Sequence, residues 1–291
     1  MKLKPKLPVF ILSSPRSYSS VISSMIGQHS ELFGFPEINL ILADDIQSYI
    51  ALMKEQRLNL KDGDLRSIAY IFFGDQSFNS IKKASDFLIQ HPDMKTEDVL
   101  KSFQEKIHPK RLVTKSPLYA SNLNYLNMLP PEAFFIHLLR NPLTQNLSLE
   151  NYLRLLDLNP ANHLYTEYLE NRYKGWMNEQ QNIESFLQNI PNNKKIRVYS
   201  ELTLRDPKKA MKELCHFLNI SDDEYNIGRM LHPEKSIFAS VGNETARFGN
   251  DPKFLMNPKL RVPSESLDSQ IGKLPLEVKS VIKKFHYDLY S

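Results

Sequence analysis

The sequence holds a single cysteine, Cys215, in 291 residues, and a lone thiol excludes an internal disulfide. Set between Leu214 and His216 in a helical pattern, it reads as a buried, inert side chain compatible with a reducing compartment. No apolar run approaches the ~20 residues needed to cross a bilayer, so no membrane span is expected. Met1-Lys2-Leu3-Lys4-Pro5-Lys6 has the charge of a secretory leader, but Val9-Phe10-Ile11-Leu12 is too short for its apolar core and reads as a strand. The expectation is a soluble, cytoplasmic protein. Neither sign of charge dominates: a formal net charge of +4 suits an anionic ligand but is too weak to argue for nucleic acid. No carboxylates or histidines fall at metal-ligand spacing, so no metal site is expected. Glycine is scarce, with nine in all and none before Gly27. The Walker pattern GxxxxGK[ST] is therefore absent from the start of the chain, which argues against an ATP-binding P-loop.

What is present is ordinary globular composition, 41% hydrophobic and 24% charged. Leu7 to Leu12 is an unbroken apolar run suited to a buried parallel strand. Small polar residues follow, then Val21, Ile22, Met25 and Ile26 recur at helical spacing. Further strands are expected at Arg111–Val113, Phe134–Leu139 and Lys195–Tyr199. Helical patterns occupy most of 38–108, with loops near Asp62-Gly63 and His91-Pro92, and recur at about 119–128, 143–157, 163–189 and 207–219. The stretch 221–270 reads as irregular, and a final amphipathic helix runs from about Pro275 to Tyr290. Strands alternating with helices imply an α/β sandwich of three layers, P-loop-like in order, with a central, mainly parallel sheet flanked by helices. One domain, 1–291, is expected, with a helical insert at about 38–108 and a C-terminal cap at about 221–291.

The loop Ser13-Ser14-Pro15-Arg16-Ser17-Tyr18-Ser19-Ser20 lies between a strand and a helix, where free backbone N–H groups and the helix dipole favour an anion. Its hydroxyls and Arg16 suit a phosphate or a sulfate; a serine-capped helix start is the alternative. Later segments make the pattern specific. Arg140-Asn141-Pro142 ends a strand, and Ser148 lies about two helical turns on. Lys115-Ser116-Pro117 ends another strand. Together these segments resemble the sulfotransferase superfamily that uses 3′-phosphoadenosine 5′-phosphosulfate (PAPS). Pro15 to Ser20 is similar to the family's phosphosulfate loop PRSGST, with Tyr18 where the family has glycine. If that glycine takes a positive φ, Tyr18 is strained or crowds the site.

The resemblance implies that Arg16, Ser17, Tyr18, Ser19 and Ser20 hold the donor, that Arg140 and Ser148 clasp its 3′-phosphate, and that Lys115 lies near its bridging oxygen. Val198-Tyr199-Ser200-Glu201-Leu202 resembles a segment that places a tyrosine, here Tyr199, near the adenine. Phe248-Gly249-Asn250-Asp251-Pro252 resembles a late loop that closes on the cofactor, adding Arg247 and Gly249. The histidine that many members carry two residues after the lysine is replaced by Pro117. Other branches use a glutamate in a run like Phe35-Pro36-Glu37-Ile38-Asn39-Leu40, so Glu37 is the expected base, with Glu31 and the eight histidines as alternatives. Arg16, Lys115 and Glu37 form the expected catalytic set. Most of the chain resembles the sulfotransferase domains of cyanobacterial polyketide and olefin synthases, including Trp176 and Asn182-Ile183. That implies transfer of a sulfuryl group to a hydroxyl on a small molecule or a carrier-bound β-hydroxyacyl chain, with 3′-phosphoadenosine 5′-phosphate (PAP) as product. A nucleotide-dependent kinase and a cofactor-binding protein whose loop Tyr18 blocks are the competing readings. Trp176 and His137 are expected in the core.

Overall fold

Four short apolar runs and one still shorter segment assemble into one parallel sheet. In a computed structural model of the chain, which describes residues 6–55, 61–155, 163–240, 252–258 and 275–285, the sheet order is β2-β3-β1-β4-β5. The strands are β1 (Val9–Leu12), β2 (Leu32–Gly34), β3 (Arg111–Lys115), β4 (Phe134–Leu139) and β5 (Lys195–Tyr199). Every pairing is parallel, with Ile11 opposite Lys115 and Ile136, and Leu139 opposite Tyr199. Alternate side chains of β1 divide the core. Phe10 and Leu12 enter a cluster on one face, while Val9 and Ile11 enter a second cluster on the other. Both faces must therefore be covered by helices.

Helix α1 (Ser19–Gly27) covers the second face. The insert supplies α2 (Ile46–Glu55), α3 (Asp62–Phe73), α4 (Phe78–Gln90) and α5 (Thr96–Ile107), whose apolar sides build the first cluster. Behind β3 come α6 (Pro117–Ser121) and α7 (Leu123–Asn127); then α8 (Pro142–Leu155) follows β4, and the long α9 (His163–Gln188) leads back to β5. After β5 the chain forms α10 (Ser200–Arg205), α11 (Pro207–Leu218) and α12 (Glu224–Met230), then α13 (Pro252–Met256) and α14 (Leu276–Lys284). A third apolar cluster joins Leu139, Leu143 and Trp176 to Val278, Ile282 and Phe285 of the last helix. No described helix is long and apolar enough to cross a membrane.

The three-layer α/β expectation holds, with four corrections. There is a fifth strand, β2, because the open edge of β3 takes up Leu32–Gly34 even though three residues carry no strand signal of their own. The expected helix at 119–128 is two helices: Asn122 is extended (φ −148°) and its side chain accepts the Asn124 N–H to start the second. The stretch 221–270 is not wholly irregular, since Asp223 caps α12 by accepting the Asn226 N–H at 2.8 Å, and α13 lies within it as well. Asp62-Gly63 is the first turn of α3 rather than a loop. Its glycine answers a packing demand, because a Cβ on Gly63 would stand 2.1 Å from the Glu37 carbonyl oxygen.

Candidate active site

The carboxyl ends of all five strands point to one side, the side on which open α/β sheets bind ligands. From β1 comes the loop Ser13–Tyr18, from β2 Glu37, from β3 Lys115, from β4 Arg140, and from β5 Ser200. Parallel pairing thus gathers residues up to 187 positions apart in sequence (13 to 200) at one rim.

The loop turns tightly. Arg16 (φ 62°) and Tyr18 (φ 58°) both adopt the left-handed conformation, which costs roughly 1–2 kcal/mol for a residue with a Cβ. Tyr18 therefore takes a backbone geometry that glycine would adopt without strain, and other contacts must hold it there. Those contacts converge on Arg140, which is buried. Its Nη1 donates to the Arg16 carbonyl, Nη2 donates to the Tyr18 hydroxyl at 3.3 Å, and Nε donates to Thr144 Oγ1 at 3.1 Å. The guanidinium also lies over the Tyr18 ring, 4.2 Å from its centroid. Gln145 Nε2 donates to the Pro15 carbonyl at 2.8 Å, and Ser200 Oγ lies 2.7 Å from the Ser17 carbonyl. The Tyr18 ring thus stacks against the Arg140 guanidinium.

The buried polar groups of this rim are incompletely matched. The hydroxyls of Ser13 and Ser17 and the Oε1 of Gln145 are buried without a hydrogen-bond partner among the described residues. Helix α1 opens with neither a side-chain cap nor an acidic residue in its first turn, so no described side chain caps its first backbone N–H groups. Unsatisfied buried groups of this kind call for a partner, and donors at a helix N-terminus beside Arg16 and Arg140 call for an anion. A phosphosulfate fits that donor set. Arg16 Nε donates to Ser148 Oγ at 3.3 Å, so Arg16, Arg140 and Ser148 form one cluster, and the Arg16 guanidinium lies 4.9 Å from the centroid of the Tyr152 ring.

Beyond the loop, Lys115 Nζ lies 2.5 Å from Glu37 Oε1, with the lysine side chain only 6% exposed and the glutamate 28%. The segment carrying Glu37 is tied down on three sides. Thr114 of β3 donates its hydroxyl to the Pro36 carbonyl at 2.8 Å and accepts the Ile38 N–H at 3.3 Å. The Tyr119 hydroxyl donates to the Ile38 carbonyl. Asp64 accepts the Asn39 and Leu40 N–H groups at 3.0 and 3.2 Å and the Tyr49 hydroxyl at 2.8 Å, and burial pushes its carboxyl up to about 7. Lys115 is followed by Ser116, which caps α6, and by Pro117 at the helix start, so the lysine is fixed at a strand end. Gly63→Ala is expected to push Glu37 away from Lys115, because backbone meets backbone there and neither can rotate aside. The cost should be about 1–3 kcal/mol of stability, with slowed turnover, checked by urea unfolding and steady-state rates.

Tyr199 sits in the third cluster and its hydroxyl donates to the Phe285 carbonyl at 2.6 Å, which anchors the last helix. Arg247 and Gly249 lie outside the described residues. Glu31 is at the opposite, amino end of the strands, just before β2, paired with Lys6 at 3.0 Å. His137 and Trp176 are buried as expected. Cys215 is buried in the second cluster, and desolvation pushes its thiol up to about 11. Among the described residues no group of three or more His, Cys, Asp or Glu side chains could hold a metal ion. Residues not singled out from sequence are Thr144, Gln145, Tyr152, Glu179, Gln180 and Ser200. The last three flank stretches that carried a signal, Trp176 to Asn182 and Tyr199, while Thr144, Gln145 and Tyr152 lie on the helix of Ser148.

The fold and this rim define an α/β protein with a tight, hydroxyl-rich turn after its first strand. The model of the sulfotransferase family matches residues 8–224, and the chain belongs to that family and is a sulfotransferase. Among solved structures it is similar to the sulfotransferase domain of the curacin biosynthetic pathway, at 24% identity over 97% of this chain and 98% of that one, with a TM-score of 0.70. It is also similar to the sulfotransferase domain of the olefin synthase of Synechococcus PCC 7002, at 22% identity over 99% and 98%, with a TM-score of 0.68. Both likenesses bear on the fold. No curated protein matches the sequence.

Proposed function

We propose that the chain moves a sulfuryl group from PAPS to a hydroxyl on a small-molecule or carrier-bound acceptor, with Glu37 as the base. The observation that carries this reading is the Lys115–Glu37 pair at 2.5 Å, at the same strand-end rim as the loop with its orphaned hydroxyls. When bound, the donor supplies the sulfuryl group and leaves as PAP. Ser13, Ser17, Ser19 and Ser20, with the N–H groups of α1, would hold its 5′ end. Arg16 and Lys115 place positive charge where charge shifts from the moving group to the leaving oxygen, and such preorganised electrostatics is usually the largest catalytic effect. Arg140 and Ser148 hold the phosphate side, and Tyr199, Arg247 and Gly249 are assigned to the nucleoside side. Glu37 accepts the proton of the acceptor hydroxyl, held at the rim by its hydrogen bond from Lys115.

Glu37 and Lys115 face one another across β2 and β3, whose ends adjoin the insert 38–108. We assign the acceptor pocket to that insert and to the cap 221–291, within one catalytic unit spanning 1–291. Calorimetric titration tests the donor assignment. PAP should bind, and ATP with Mg²⁺ should not; the reverse preference would replace the donor reading with a kinase.

A further inference from the structure

Arg140 and Gln145 brace the middle of the donor loop, while its first residues are held by α9. The parallel register sets Leu12, the last residue of β1, opposite His137 of β4, and Ser14 lies two positions beyond Leu12. Side chains alternate along β4, so His137 shares a face with Phe135. Phe135 belongs to the cluster that α9 enters through Ile183, Phe186 and Leu187. The helix is fixed further by Trp176 in the third cluster and by Asn182, whose Nδ2 donates to the Ala120 carbonyl at 3.0 Å. Gln180 thus projects from a firmly packed element.

Both ends of its amide are engaged. Gln180 Nε2 donates to Ser14 Oγ at 2.8 Å, and Oε1 lies 2.8 Å from His137 Nε2. Glu184, one turn along α9, flanks the same imidazole, with Oε1 3.3 Å from Nδ1. Arg197 holds that carboxylate at 2.8 Å and Lys284 approaches it at 3.7 Å. Ser14, His137 and Gln180 are 0%, 1% and 1% exposed, so bulk water does not stand in for a missing partner. An apolar side chain would pack against the sheet without the cost of burying an amide. The hydroxyls of Ser13 and Ser17 are buried without a partner among the described residues, whereas Ser14 is the serine of this turn that α9 engages.

We propose that Gln180 is a positioning residue of the donor site: held by His137, it fixes Ser14 and so keeps the loop Ser13–Ser20 in the shape that receives the anionic end of the donor. The inference rests on the reading of that loop as the donor site. Gln180 acts through Ser14 and is assigned no contact with the donor. The loop needs such a tether because Arg16 and Tyr18 are both left-handed, and a strained backbone persists only where its surroundings hold it. Released at Ser14, the loop spends less of its time in the competent shape, and apparent affinity falls by that fraction.

The test is calorimetric titration of the full chain with PAP, alongside urea unfolding. Gln180→Met keeps the length of the side chain and loses both hydrogen bonds. It should weaken PAP about tenfold, the effect of a loop that holds its binding shape a tenth of the time. Ser14→Ala cuts the same bond from the loop side and should weaken PAP by the same factor, which keeps the inference testable if Gln180→Met does not fold. The double variant should bind like either single one, because both cut one contact. Gln180→Glu adds a signature that lost packing cannot give. Its carboxylate cannot donate to Ser14, but the protonated carboxyl can. Its PAP affinity relative to wild type should therefore recover as pH falls through the carboxyl's range, which burial raises, with no recovery in Gln180→Met. The titratable groups around this position are Glu179 and Glu184 of α9, His137 of β4, Arg197 of β5 and Lys284 of α14. All are common to these variants, so the ratio isolates residue 180. Unchanged PAP affinity in Gln180→Met, factors that multiply in the double variant, or a ratio that stays flat with pH overturns the inference and leaves the donor reading intact. Failure of wild-type protein to bind PAP overturns the donor reading, and the inference with it.

Discussion

Glu37→Gln should reduce turnover by about 10²–10⁴-fold, the usual contribution of a positioned base, while affinity for PAP stays the same or rises slightly. The substitution keeps the volume of the side chain and its ability to accept from Lys115, but it removes the charge and the capacity to take a proton. Lys115 then remains a buried cation without its 2.5 Å counter-charge. An uncompensated buried cation favours a bound anion, which sets the sign of the effect on PAP. The two readouts separate chemistry from binding: single-turnover rates with labelled donor should collapse, and calorimetry with PAP should not weaken. Undiminished turnover on an identified acceptor would move the base elsewhere on the rim, and a parallel loss of PAP binding would make Glu37 a structural residue.

Arg140→Lys should weaken PAP binding by about 100-fold, since hydrogen bonds from charged groups contribute about 1.5–3 kcal/mol each and at least one, and in part a second, would be lost. The charge survives the change, so simple electrostatics predicts little. The planar fork does not survive, and it is what lets Arg140 reach the Arg16 carbonyl, the Tyr18 hydroxyl and Thr144 at once while lying on the Tyr18 ring. Without that brace, two left-handed residues in three positions lose the contact that holds their strain. The loop should therefore lose its shape as well as its phosphate donor. A lower urea midpoint alongside the weaker binding would report the brace; PAP affinity equal to wild type would show that Arg140 is dispensable to the site.

Much of this arrangement was legible before any coordinates. Strand-forming runs bounded by turn residues marked β1, β3, β4 and β5, and periods of 3.6 marked most helices, because both signals come from burial of side chains close together in the chain. The segments carrying Arg16, Lys115, Arg140 and Ser148 were recognisable because each resembles a short strand-end segment of the sulfotransferase family. Tyr18 illustrates the limit of that reading. Its departure from glycine raised the expectation of strain, and the positive φ bears that out, but the contact that braces it comes from Arg140, 122 positions away, lying over its ring.

The sequence by itself determined the alternation of strands and helices, the family's loop and strand-end segments, and the absence of a disulfide, because each is written in neighbouring residues. Only the tertiary structure decided the rest: that Leu32–Gly34 becomes an edge strand, that Gly63 is a packing contact against Glu37 rather than part of a loop, and that Glu37 meets Lys115. These depend on which backbone lies next to which after the sheet has closed its pairings, and pairing between distant segments leaves no local trace in the chain.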